Sequence, residues 1–289
     1  MTDHHDVCVV GSANLDLVAT TPHLPKPGET VLGSEYAEHP GGKGLNQAVS
    51  ASRSGASTAF VGAVGPDPAG DRLRNVLTAE SIDASAVATV EAPTGRALIT
   101  VDAAGENSIV VISGANATVP KGVKLPSASV VLAQLEIPID TVVRALIDAR
   151  AAGSTVILNP APATPLPAEL VAVCDVIVPN QHELTQLGGA SSILAAGCAA
   201  VVATLGSEGA EVHTVAGTTH VGAFDVDVVD TTGAGDAFCG SLAARLAAGD
   251  ELLDAVRWAT AAGALATTVS GAVPAQPFAA AIDELLRRG

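Results

Sequence analysis

Short apolar runs at residues 7–10, 59–61, 130–133, 156–158, 176–178 and 199–203 punctuate the chain. Several are continuous rather than alternating, as expected of strands covered on both faces. Between them, apolar positions recur at helical spacing over 45–54, 71–79, 139–151 and 181–188. The final third turns mostly helical, over 236–248, 251–267 and 278–288. Alternating strands and helices predict an α/β fold on a mainly parallel sheet flanked by helices. Two stretches break the pattern. Residues 15–36 and 94–113 have strand-like composition interrupted by Pro and Gly, as in Thr30-Val31-Leu32 and Ala97-Leu98-Ile99-Thr100-Val101, the second followed by a turn signal at 102–105. They predict a small antiparallel sheet inserted near 15–40 and 94–113. A lid over one end of the main sheet and an ordinary edge extension both fit. With no internal repeat or low-complexity linker, residues 1–289 read as a single domain.

Each buried run is followed by polar side chains: Asn14 and Asp16, then Gln134 and Glu136, Asn159, Asn180 and Glu183, and finally Thr204, Gly206 and Ser207. Ligands of open α/β sheets bind beyond the carboxyl ends of the strands. Taken singly, each of these residues also fits a turn or a helix cap. Five such ends in one chain favour a binding cleft.

Aromatic residues make up 2% of the chain, so Ala, Val, Leu and Ile must fill the core that a 48% apolar fraction implies. A net charge of −16 without a long basic run argues against nucleic acid and anionic membranes as partners. It leaves room for a nucleotide held by backbone amides and a metal. Cys8, Cys174, Cys198 and Cys239 are far apart, without zinc or disulfide-framework spacing, and read as buried thiols of a reducing compartment. The seven histidines show no metal spacing. The opening Met1-Thr2-Asp3-His4-His5-Asp6 is polar, and no apolar run is long enough to span a bilayer, so a cytoplasmic location is expected.

Two glycine clusters carry the chemistry. In Asp230-Thr231-Thr232-Gly233-Ala234-Gly235-Asp236, the glycines leave the backbone bare at the start of a predicted helix, whose free N–H groups suit a phosphate. Asp236 sets a proton acceptor beside that anion site, which together suggest phosphoryl transfer to an alcohol. A glycine-capped loop before a helix with an N-terminal acid accounts for the same residues. In Gly41-Gly42-Lys43-Gly44-Leu45-Asn46-Gln47-Ala48, Asn46 offers both donor and acceptor on the first helical turn and Lys43 a mobile cation, a mixture suited to sugar hydroxyls. A helix-capping loop with a solvated lysine is the plain alternative. The loop is not a Walker A motif, since no Ser or Thr follows Lys43. The turn at Gly233 lacks the third glycine of a dinucleotide fingerprint, where Phe238 stands.

These motifs, with Gly11-Ser12-Ala13-Asn14-Leu15-Asp16, Gln134-Leu135-Glu136, Asn159-Pro160-Ala161-Pro162, Pro179-Asn180 and Thr204-Leu205-Gly206-Ser207-Glu208-Gly209, resemble the ribokinase-like, or PfkB-type, sugar kinases over nearly the whole chain. The resemblance implies a ribokinase-like, Rossmann-like α/β fold with a β-sheet lid, and transfer of the γ-phosphoryl group of ATP to a primary hydroxyl of a small sugar. The Asn14/Asp16 pair, the lysine-containing loop and Glu136 point to D-ribose as acceptor. Deoxyribose, another sugar, a nucleoside or a sugar phosphate remain alternatives. The resemblance further implies that Asn14, Asp16, Gly41, Gly42, Lys43, Asn46 and Glu136 hold the sugar. Asp236 would serve as base, with the amides of Gly233, Ala234 and Gly235 as anion hole. Asn180 and Glu183 would organise Mg²⁺ and phosphates, and Thr204, Gly206, Ser207, Gly209 and Thr260 the nucleotide. Asp230, Thr232, Ala266, Val269 and Gly271 would form a site for a monovalent cation such as K⁺.

Two positions depart from the family pattern. Thr260 stands where His or Asn is expected beside the adenine, and Ala275 where Ser often borders the cation loop. Arg53 and Arg96, the nearest spare cations for a phosphorylated acceptor, read as surface or lid residues. The acidic sugar end disfavours such an acceptor, and the scarcity of aromatic walls disfavours a nucleoside. A non-catalytic sugar-binding module would break the catalytic set, which is present. A nicotinamide-dependent dehydrogenase would need the absent fingerprint. The inserted sheet also predicts a homodimer, because its edges need cover.

Overall fold

Residues 4–288, described by a computed structural model, hold thirteen strands in two sheets. Residues 1–3 of the polar opening lie outside the described residues. In chain order the strands are β1 (His5–Val10), β2 (Asn14–Thr20), β3 (Glu35–Gly41), β4 (Thr58–Val64), β5 (Val87–Thr89), β6 (Gly95–Val101), β7 (Asn107–Ile112), β8 (Ala128–Ala133), β9 (Thr155–Leu158), β10 (Val176–Ile177), β11 (Ala200–Thr204), β12 (Ala210–Thr214) and β13 (Gly217–Val221). The larger sheet runs β13-β12-β11-β10-β9-β8-β1-β4-β5. From β11 to β5 every neighbouring pair is parallel, while β12 and β13 close one edge as an antiparallel hairpin.

Strand periodicity explains the two-sided core. Along β1, Val7 and Val9 join Leu45, Phe60, Phe238 and Leu242 on one face, whereas Cys8 and Val10 join Leu146, Leu158 and Leu170 on the other. Each such fully buried side chain stabilises the fold by ~1.5–3 kcal/mol relative to exposure. Helices Lys43–Arg53 and Ala234–Ala247 supply Leu45 and Phe238 to the first face. Helices Ile139–Ala151 and Ala168–Val173 supply Leu146 and Leu170 to the second. The long helices fall where the periodicity predicts them, Ile139–Ala151 to the residue.

The second sheet runs β3-β2-β6-β7, antiparallel in its outer pairs and parallel between β2 and β6. Asp102 closes the β6–β7 turn by accepting the Ala104 and Glu106 amides. Two local expectations need correction. Thr30-Val31-Leu32 is loop, not strand: three prolines between residues 21 and 28 remove ladder donors, and pairing resumes only at Glu35 opposite Thr20. The final third also holds the β12–β13 hairpin, whose exposed, polar β13 lacks an apolar signal.

Candidate active site

The carboxyl ends of β1, β8, β9, β10 and β11 bring Asn14, Glu136, Asn159, Asn180 and Thr204 to one end of the main sheet, where two helices begin. Helix Lys43–Arg53 starts from Gly42 (φ 90°), where a Cβ would lie 2.9 Å from the Asn14 nitrogen. Helix Ala234–Ala247 starts from Gly233, left-handed at φ 79°, where a Cβ would lie 3.0 Å from the Ala272 Cα. Conformation and space both select glycine there.

The two helix starts are tied through Asp236. Asn46 Nδ2 donates to Asp236 Oδ2 and Gln47 Nε2 to Oδ1, each at 2.9 Å. Gln47 is itself fixed: its Oε1 accepts from Gln134 Nε2, and its Nε2 also donates to Asn159 Oδ1 at 3.1 Å. Gln47 and Gln134 are fully buried, and Asp236 is 7% exposed. Sequence reasoning placed Asn46 but assigned neither glutamine a role. For Gln47 the available signal was a polar amide on the otherwise apolar, buried side of a helix, and for Gln134 its place directly after β8. Among the described residues, the Gly233, Gly235 and Asp236 amides take no loop or turn partner, while Ala234 N–H contacts the Thr231 carbonyl at 3.3 Å. The open cradle is therefore Gly233, Gly235 and Asp236 more than Ala234. Lys43, Asn180, Glu183, Thr204, Gly233, Gly235 and Asp236 line one cleft of about 230 Å³. The Asp236 charge holds the Lys43 ammonium above the usual lysine range against the opposing pull of burial, with Glu136 and Glu183 adding to it.

In the short helix Gly114–Thr118 that follows β7, Asn116 Nδ2 donates to Asn14 Oδ1 at 2.7 Å, and Asn116 Oδ1 accepts the Ala13 amide at 3.0 Å. Asn116, unread from sequence, thus sets the direction of Asn14. The Asp16 carboxylate lies over Gly41, where any Cβ would collide with it. Burial, then the charges of Glu136 and Asp236, push Asp16 up to about 7. Glu136 Oε2 accepts Ser12 Oγ at 2.5 Å and the Lys43 amide at 3.0 Å, a carboxylate on a helix N-terminus.

Asn180 and Glu183 form a capping box: Asn180 N–H donates to Glu183 Oε2 at 2.9 Å and Glu183 N–H to Asn180 Oδ1 at 2.8 Å. Thr204 lies beside them, its amide donating to the Pro179 carbonyl. Gly206 and Ser207 follow on an exposed turn, and Gly209 packs tightly against the Val221 carbonyl. Thr260, buried in helix Leu252–Ala266, donates its hydroxyl to the Val256 carbonyl at 2.8 Å. These last four are not among the residues lining the cleft.

Asp230 knits the loop before Gly233 to the segment after helix Leu252–Ala266. Its Oδ1 accepts the Thr232 amide and its Oδ2 the Gly271 amide, both at 2.9 Å, with Ser270 Oγ at 3.4 Å. Burial raises its pKa, but these donors outweigh burial and hold it below the usual carboxylate value. Among the described residues, no loop or turn amide donates to the carbonyls of Thr232, Ala266 or Val269, whereas Gly271's accepts from Ala275. Arg53 is not a surface cation: its side chain is 12% exposed and forked onto Glu80. Arg96 lies in β6, 3.9 Å from Asp67. A larger cavity, about 490 Å³, lies between β13, Phe224 and Arg257, and Asp236 is not among its lining residues. The amides and carboxylates converge on the smaller cleft, which makes it the candidate reactive site.

The family model for pfkB family carbohydrate kinases matches residues 4–279. A ribokinase from Staphylococcus aureus is 37% identical over 300 residues, covering 96% of this chain and 99% of the relative. A ribokinase structure from Thermotoga maritima superimposes with a TM-score of 0.91 at 34% identity, covering 98% of this chain and 99% of that one. An Arabidopsis thaliana ribokinase complexed with ribose and ATP superimposes with a TM-score of 0.91 at 32% identity, covering 99% of each chain. The chain belongs to the pfkB family of carbohydrate kinases.

Proposed function

We propose that this protein transfers the γ-phosphoryl group of ATP to the primary hydroxyl of D-ribose, giving ADP and ribose 5-phosphate. One observation carries the chemistry: Asp236 is held by Asn46 and Gln47 directly beside the bare amides of the Gly233 turn. In this reading Asp236 accepts the hydroxyl proton as the oxygen attacks phosphorus, and the bond from phosphorus to the bridging oxygen of ADP breaks. The Gly233, Gly235 and Asp236 amides take the charge on the equatorial oxygens, and Lys43 neutralises charge across the cleft. Asn14, Asp16, Gly41, Gly42, Asn46 and Glu136 receive the sugar. Glu136 offers it Oε1, since its Oε2 is committed to Ser12 and Lys43.

The nucleotide runs from this cleft past Thr204 onto the exposed turn of Gly206 and Ser207. Gly209 supports that turn from behind. Thr260 meets the base edge only if its hydroxyl turns from Val256. No cluster of three or more His, Cys, Asp or Glu side chains suited to a metal occurs among the described residues. Mg²⁺ therefore fits as an ion carried by the phosphates, with Glu183 and Asn180 reaching it through water. Bound there, it would neutralise the phosphate oxygens. Asp230 and the open carbonyls of Thr232, Ala266 and Val269 fit K⁺, a weakly hydrated ion, better than Mg²⁺. Gly271 contributes mainly its amide, to Asp230.

The main sheet and its helices act as one catalytic domain, with the second sheet as lid. Exposed Leu98, Ile109, Val110, Val111 and Ile112 on that lid support a homodimer formed through it. Four free, buried cysteines support a cytoplasmic location, and no described helix is long and apolar enough to cross a membrane. A coupled assay of ADP release across ribose, deoxyribose, fructose, nucleosides and phosphorylated sugars tests the proposal. Ribose should give the highest kcat/KM. A clear preference for another acceptor would overturn the assignment of ribose while keeping the kinase.

A further inference from the structure

Arg53, the last residue of helix Lys43–Arg53, has no part in the scheme above, yet it makes a dense set of polar contacts. Its Nε and Nη2 fork onto Glu80 at 2.9 and 2.6 Å. Its Nη1 donates to the main-chain carbonyls of Gln276 at 2.7 Å, Val273 at 3.2 Å and Pro274 at 3.5 Å, and its guanidinium lies 4.8 Å from the centre of the Phe278 ring. One side chain thereby fixes the backbone of residues 273–276.

Gln276 continues the chain of contacts. It is 2% exposed, and its Nε2 donates to the Ala272 carbonyl at 2.9 Å and the Gly233 carbonyl at 3.3 Å. Two carbonyl acceptors require the nitrogen on that side of the amide. The Gly233 carbonyl belongs to the left-handed residue that begins the anion cradle. That oxygen also accepts the Ala237 amide at 2.8 Å, the first bond of the helix, so Gln276 adds a second, longer tie to the same peptide, from which the next amides follow. The N-terminal turn of helix Lys43–Arg53 aims Asp236 through Asn46 and Gln47, and its last residue braces the cradle through Gln276.

We propose that Arg53 and Gln276 are positioning residues for phosphoryl transfer: Arg53 fixes the 273–276 backbone, and Gln276 fixes the Gly233 peptide that opens the cradle. The proposal deepens the kinase reading and rests on it. A misdirected cradle loses interactions made mainly in the transition state, so turnover should fall while substrate binding survives.

The test compares the parent with Arg53→Lys, Gln276→Met and the double variant. Lysine keeps the charge facing Glu80 but cannot span both Glu80 and the carbonyls. Methionine keeps the volume of Gln276 without its donors. The readouts are kcat, KM for ribose and ATP, affinity for ADP, affinity for ADP–aluminium fluoride in the presence of ribose, and melting temperature. Each single variant should lower kcat about tenfold or more and weaken the aluminium fluoride complex by a similar factor, with KM and ADP affinity within about twofold of the parent. The double variant should be little worse than the weaker single, because the two residues act in series. Unchanged kcat in folded variants, substrate and ADP affinities falling as far as kcat, or fully multiplicative effects would each overturn the proposal. If Arg53→Lys fails to fold, Gln276→Met alone decides by the same criteria. A parent that phosphorylates no sugar would overturn the kinase reading, and this proposal with it. A working parent with unaffected variants would overturn only the brace.

Discussion

Replacing Asp236 by Asn probes the smallest unit of the site. The new amide can still accept from Gln47, whose orientation is locked by Gln134. Its NH₂ then faces Asn46, whose buried Oδ1 has no partner and becomes one if that side chain flips. The variant should therefore fold with a near-parental melting temperature and lose turnover by about 10²–10⁴-fold, the usual worth of a positioned base. Near-normal kcat in the folded variant would remove Asp236 from its role. Asp16 yields a second residue-level expectation, in stability. Its pKa rises from 3.8 to about 7 on folding, so the folded protein binds more protons than the unfolded chain between those values. Stability from this group is therefore lost as pH rises through that window. Asp16→Asn removes the loss. Its stability relative to the parent should grow from about pH 4 to 7 and level off above, reaching on the order of 2–4 kcal/mol in denaturant titrations. A gain independent of pH would contradict this.

At the scale of elements, the small sheet makes its own prediction. Residues opposite in register share a face, so Asp16, Ala97 and Val111 look one way while Leu17, Leu98 and Val110 look the other. The second face exposes Leu98 and Val110 in its middle, with Ile112 further along β7. Introducing charge with Val110→Lys and Ile112→Lys together should give a light-scattering mass of one chain where the parent gives two. A monomeric parent would end the dimer proposal. The elements also show what the sequence could reveal. Runs such as 130–133 and 156–158 are legible because burial on both faces leaves no other composition possible. The helices at Lys43 and Gly233 are legible because bare glycine turns precede them. Hairpin β12–β13 was illegible because β13 is exposed and polar, and β5 because it spans only Val87–Thr89. Within the site, the residues proposed to touch a ligand stand out by motif. Asn116 and Gln276 do not, and Gln47 and Gln134 fall inside motifs without a role, because each acts through a tertiary contact between segments distant in sequence. Gly209 shows the reverse: it matches a motif, yet it packs against the end of a strand, and Thr260, which departs from the family pattern, spends its hydroxyl on its own helix.

For the whole molecule, a monovalent cation would join the Asp230 loop to the 266–271 segment, two parts already linked by Asp230 itself. Any ion bound by the folded state alone raises its stability. Potassium should therefore raise the melting temperature by about 2–4 °C over tetramethylammonium at equal ionic strength. Equal melting temperatures would count against the site, where Ala275 offers no hydroxyl. The two-sheet architecture has a wider implication. Asp16, placed on the acceptor in the proposed scheme, rides on the small sheet and Asn14 stands at its root, while the amide chain from Gln134 through Gln47 to Asp236 belongs entirely to the large frame. Under the proposed scheme, sugar contacts are shared between the two sheets, whereas phosphate chemistry rests on the large one alone. Exchanging the small sheet between relatives offers a way to redirect such a catalyst to new alcohols without rebuilding its engine.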